Sequence, residues 1–252
     1  MAKIVEYLNP ITGAPEQVDQ LDHSAQEIDD AVDLAPQLSN PNLLDNWYFG
    51  NPVNQRGQTS YTGAGYGIDR WDLLGGQNPT MLIENGHIKL TGSGFFRQII
   101  PVSQIPRGTV VTMSILMASG ELYALTTTVP DYQADSSQVN FPGGFLRIYG
   151  WTTDTDVYFM FFEAEVSPVA MKLELGSQQT LAHQNADGNW VLNEIPDYGE
   201  QLAKCQRYFQ LYSSADLRPA KAVDCRPTMR ADPSQSTIVV NSTTYYYNTA
   251  DL

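Results

Sequence analysis

Positive charge is what this sequence has least of. Only 14 Lys and Arg stand against 28 Asp and Glu, a formal net charge of −14 over 252 residues. Nucleic acid and anionic membrane surfaces both demand a basic face, so the expectation is no nucleic-acid partner and no membrane insertion. Cysteine is nearly missing. Cys205 and Cys225 are too few for a disulfide framework, and their settings, AKCQRY and VDCRPT, resemble neither a metal nor a redox motif. Both read as buried free thiols. The three histidines, His23, His87 and His183, lie in unrelated contexts, and none sits in a recognisable catalytic or metal-ligand pattern. No apolar run approaches the roughly 18 residues of a membrane span. The opening MAKIVEYLNP lacks the apolar core of a signal peptide. The expectation is a protein assembled in a cytoplasm that leaves, if at all, by a route such as cell lysis.

What is present is a series of short apolar runs broken by Gly, Pro, Asn and Asp, the pattern of a mainly β chain. It reads as three parts: residues 1–40, 41–176 and 177–252. The first is the most acidic, with eight carboxylates against Lys3 alone, half of the net charge. Residues 3–8 suit a short strand, and Asn9-Pro10 and Thr12-Gly13 suit turns. Ser24 and Glu27 have the spacing of a capping box, which predicts a helix ending before Pro36. Ala25, Ile28, Val32 and Ala35 form its narrow apolar seam. A helix of about a dozen residues is marginal alone in water. Its partner is either the body of the same chain or copies of the helix in a small bundle, and the bundle is the preferred oligomerisation device.

Residues 41–176 read as one β-sandwich whose count of about eight to ten strands fits a jelly roll. Asn85-Gly86 predicts a type I′ hairpin. Residues 157–166 are apolar on both faces, with Val157, Phe159 and Phe161 on one and Tyr158, Met160 and Phe162 on the other. Such a strand needs cover on both sides: the sandwich core on one, a neighbouring subunit on the other. Along 169–175, Lys172 and Glu174 alternate outward from Met171, Leu173 and Leu175. In residues 177–252, Asp197 caps a helix expected to reach about Tyr212, and a terminal hairpin follows, making a small α+β unit.

The densest aromatic and polar stretch is residues 42–76. Rings that stack on sugar faces, with amide and guanidinium groups that bond hydroxyls, suit glycan binding. The candidates on or near its loops are Tyr48, Arg56, Tyr61, Tyr66, Arg70 and Trp71, with Trp151 from a later strand end. The plainer reading is that these rings pin the edge of a sandwich. Catalysis has little support. Glu163 and Glu165 share a strand face only about 7 Å apart, whereas a glycosidase sets its two carboxyls across a cleft. Asp154-Thr155-Asp156 reads as a turn before it reads as a calcium loop. The glycines of residues 63–67 do not open a helix, so no phosphate cradle is expected. The expectation is a non-enzyme with no metal and no cofactor.

The run NLLDNWYFGNPVNQRGQTSYTGAGYGIDRW, then KLELGSQQTLAHQ, then YGEQLAKCQRYFQ, resembles tail-fibre or receptor-binding proteins of phages and prophages in gut Firmicutes. The opening MAKIVEYLNPITG and the HSAQEIDDAVD helix are similar to the start of such fibres. The middle part resembles a carbohydrate-binding-module-like jelly roll. The resemblance implies a homotrimer in the virion, joined through residues 1–40 to tail, baseplate or capsid proteins and attaching to host surface polysaccharide. The alternative is a capsid (head) fibre or decoration protein without a specific receptor. A depolymerase is the third reading, and neither repeats nor paired acids favour it.

Overall fold

Alternation of apolar and polar side chains dominates the chain, and the fold is accordingly mainly β, built from antiparallel sheets. The structure is a computed structural model that describes residues 4–8, 15–19, 39–217, 219–225, 227–240 and 243–250. The chain divides into two compact units, residues 1–37 and 38–252. In the first, β1 (Ile4–Leu8) pairs antiparallel with β2 (Pro15–Asp19), Ile4 lying opposite Asp19. Pro15 sits at the first position of its strand, where a missing ladder donor is tolerated. The helix expected from Ser24, with Ala25, Ile28, Val32 and Ala35, lies outside the described residues.

The second unit opens with the short strands β3 (Ser60–Thr62), β4 (Gly65–Tyr66) and β5 (Asp72–Leu74). The hairpin β6 (Thr80–Glu84) and β7 (His87–Thr91) follows, then β8 (Gly94–Pro101), β9 (Val110–Met117) and β10 (Leu122–Thr128). Next come β11 (Val139–Phe141), β12 (Gly144–Gly150), β13 (Thr155–Phe162) and β14 (Pro168–Leu175). A pair, β15 (Ala182–Gln184) and β16 (Trp190–Leu192), leads to helix α1 (Tyr198–Gln206). The chain finishes with β17 (Phe209–Tyr212), β18 (Ser234–Val240) and β19 (Thr243–Thr249). The largest sheet has six strands in the order β11-β12-β13-β8-β5-β4, and a second has the order β10-β9-β14.

The inner faces of these two sheets meet. Phe96, Leu146, Ile148, Tyr158, Met160 and Phe162 from the first share one buried cluster with Val111, Met113, Ile115, Met171 and Leu173 from the second. Burial alternates along β12, the first half of β8 and the second half of β13, where every second residue enters that core and the others face outward. Trp71 lies at the centre, stacked on Phe96 with centroids 4.6 Å apart, and its Nε1 donates to the carbonyls of Asp45 and Asn46.

Several expectations need correction. Lys172 and Glu174 do not face outward; both are wholly buried. β14 is covered on its second face by the chain around Ser39 and Thr180. Lys172 Nζ donates to Ser39 Oγ at 2.6 Å and Thr180 Oγ1 at 3.0 Å, with Glu174 and Glu194 within 3.8 Å. The helix after Asp197 is correctly capped, Asp197 accepting from Glu200 N, but it stops at Gln206. Residues 209–212, rich in aromatics, pair instead with β19. β13 ends at Phe162, before Glu163. In the β6–β7 turn only Gly86 has positive φ, so it is not type I′, which needs both central residues there.

Candidate functional site

The outward residues of the six-stranded sheet form rows across its strands. One row, read through the register, is Phe145, Phe161, Phe95 and Leu74; the next is Arg147, Phe159, Arg97 and Asp72. Tyr149 and Val157 begin a third. Four phenylalanines thus meet on one outer face. Phe95 lies 5.4 Å from Phe159 and 5.2 Å from Phe161, and Phe145 lies 6.2 Å and 5.3 Å from the same two rings. These are the edge and tilted contacts that aromatic quadrupoles favour. All four rings are half-buried, while Leu74 and Trp151 are about two-fifths exposed. Phe95, Phe145, Phe159, Leu74 and Trp151 line an open cleft of about 400 Å³ that also takes in Arg97, Asp135, Arg147 and Tyr149. Its size is that of a small-ligand site.

The polar groups of the cleft are held in place. Arg97 grips Asp72 through Nε at 2.9 and 3.1 Å and Nη2 at 2.9 Å, a bidentate pair. Its guanidinium lies 5.2 Å from the Trp151 ring. Arg147 donates from Nη1 to Asp135 at 3.0 Å and from Nη2 to Gln138 Oε1, and sits 4.9 Å over the Phe145 ring. Arg147 Nε is buried with no partner among the described residues. Asp135 is brought to the rim by the loop before β11, which closes on the end of β12: Gln133 N donates to Gly150 O and Gly150 N to Ala134 O. Gly150 is required there, since a Cβ would meet Asp131 O at 2.0 Å.

The residues singled out from the sequence mostly fall elsewhere. Trp151 lines the cleft. Trp71 is a core residue, wholly buried, with no face for a ligand. Arg70 is buried too, paired with Asp45 at 3.1 Å and lying 3.5 Å from the Tyr208 ring. Arg56, paired with Asp69 at 2.8 Å, lies 3.9 Å from the Phe209 ring and 5.2 Å from that of Tyr66. Tyr61 is buried, its hydroxyl donating to Asn54, and burial pushes its pKa up. Residues 42–76 therefore hold the chain around Tyr208 and Phe209 by cation–π contacts from Arg70 and Arg56, each of which is fixed by an ion pair within the loop itself. Tyr48 lines a separate pocket of about 260 Å³ with Asn46, Asn51 and Tyr198.

Other chemistry finds little geometry. Glu163 and Glu165 are exposed, and Glu165 pairs with Lys89 at 2.9 Å. Asp156 is taken by Arg107 at 2.8 Å. His87 meets Glu84, and His183 meets Asn193. Among the described residues no three His, Cys, Asp or Glu side chains gather as a metal site.

Sequence reading missed Phe95, Arg97, Phe145, Arg147 and Phe159. A signal was there: Phe95-Phe96-Arg97 and Phe145-Leu146-Arg147 each place Phe and Arg two apart on one strand face. No family model matches the chain, nor does any curated protein or solved structure.

Proposed function

We propose that this chain is a non-enzymatic phage virion protein, a tail fibre or receptor-binding protein. In this reading it attaches to host surface glycan as a homotrimer. Residues 41–176 are its carbohydrate-binding jelly roll, residues 1–40 join it to other virion proteins and gather its copies, and residues 177–252 complete the tip. The observation that carries the glycan step is the outer face of the six-stranded sheet. Half-buried rings and one exposed indole lie beside two fixed guanidinium–carboxylate pairs. Rings supply apolar area for the flat side of a pyranose, and fixed polar groups at the rim orient its hydroxyls. The virion setting is supported by the resemblance of the sequence blocks to phage fibres. The test is adsorption to host cells. Phe159→Ala and Trp151→Ala, combined in the full chain, are expected to reduce adsorption at least about ten-fold. The far-UV spectrum and melting cooperativity should be retained. Unchanged adsorption by the folded double variant contradicts the reading.

A further inference from the structure

We infer that the cleft on the six-stranded sheet takes an uncharged, extended polysaccharide chain lying across the strands, and rejects acidic glycans. This rests on the glycan reading above and narrows it to a ligand class.

Charge sets the first limit on the ligand. The cleft holds two cations, Arg97 and Arg147, and each is already matched by a carboxylate, Asp72 and Asp135. A uronate or sialate entering here meets two anions along with the two cations, on a chain whose net charge is −14. Recognition of an acidic sugar needs an unmatched guanidinium, since the attraction to an internally paired one is largely cancelled.

Hydroxyls are a different matter. A guanidinium carries five N–H donors. Arg97 engages Asp72 through Nε and Nη2, leaving Nη1 for a ligand. Asp135 accepts from Arg147 through Oδ2 and keeps Oδ1 at a half-exposed position. The Arg97 pair thus offers a donor and the Arg147 pair an acceptor, on either side of Phe159, which suits a chain whose hydroxyls both donate and accept. The pairs also fix these groups in place, so little side-chain entropy is lost on binding.

Shape supplies the rest. The apolar row Phe145, Phe161, Phe95, Leu74 and the mixed row Arg147, Phe159, Arg97, Asp72 both run across four adjacent strands. Three strand spacings make about 14 Å. The rows lie about 7 Å apart, two residues along each strand. A chain laid along them keeps a ring beneath it and a polar pair at its flank over several sugar units. A single monosaccharide uses only a fraction of that track.

The test is native affinity electrophoresis of the full-length protein in gels containing bacterial surface polysaccharide. The polysaccharide is first separated by anion exchange into neutral and acidic fractions. The neutral fraction is expected to retard the protein equally at about 0.05 and 0.5 M salt, since screening does not weaken uncharged contacts. The acidic fraction is expected to leave migration unchanged. Trp151→Ala, at an exposed position, should weaken retardation about ten-fold. Asp72→Asn, which leaves Arg97 unmatched while keeping the side-chain shape, should newly gain retardation by the acidic fraction at low salt. Retardation of the native protein by the acidic fraction, fading with salt, overturns the inference and leaves the glycan reading standing. Retardation by neither fraction overturns both.

Discussion

Trp71 and Trp151 show how differently one residue type is used in this chain. Trp71 is buried with its ring against Phe96 and its indole N–H satisfied by two carbonyls. Trp71→Ala is expected to cost about 3–5 kcal/mol, the range for large-to-small aromatic truncation in a core, and urea unfolding would show it. Trp151→Ala should stay within about 0.5 kcal/mol of the native protein, as exposed substitutions usually do, while glycan binding falls. Tyr158 gives a prediction of opposite sign. Its hydroxyl is buried with no partner among the described residues, and burial drives its pKa far up. Tyr158→Phe removes an uncompensated polar group and is expected to raise stability by about 1 kcal/mol in the same assay.

Single elements show where the sequence was readable and where it was not. The strands β8, β9, β10, β12 and β19 are short runs rich in apolar, aromatic or β-branched residues bounded by turn residues, so their existence was legible from residues alone. The two-faced character of β13 was legible as well, in Val157, Phe159 and Phe161 opposite Tyr158, Met160 and Phe162. The cleft on its outer face was not, because it is assembled by register between β12, β13, β8 and β5, strands separated by up to dozens of residues. The aromatic loop at 42–76 misled for a related reason: Arg56 and Arg70 find their ring partners Phe209 and Tyr208 over a hundred residues away. β14 misled because alternation cannot distinguish a charge facing water from one facing a second layer of chain. There Lys172 is wholly buried, and desolvation pulls its pKa down while Glu174 and Glu194 push it back up. With the folded value lowered, the unfolded chain holds the extra proton between that value and the ordinary 10.5. Stability from this group therefore rises with pH across that window. Comparing pH-dependent melting of the native protein and Lys172→Met should show that rise only in the native protein. Lys172→Ala should cost about 3 kcal/mol or more, because Glu174 is left buried beside an empty space.

For the whole molecule, the proposal joins a weak face to a device that repeats it. A shallow cleft on one sandwich binds an individual chain poorly. In the proposed trimer, three copies on one particle would convert later contacts into intramolecular ones, a gain of about 10²–10⁴ in apparent affinity. Sedimentation of the full chain is expected to give a trimer, and removal of residues 1–37 a monomer that still shows the neutral-glycan preference at reduced avidity. A full-length monomer that adsorbs as firmly as the virion protein contradicts the avidity step. The most direct measurement is carbene footprinting of the full protein with and without host glycan. Phe95, Phe145, Phe159 and Trp151 on the sheet face are expected to be protected, with Tyr61 and Tyr66 unchanged. Protection confined to residues 42–76, with the sheet face labelled equally in both states, would contradict the proposal.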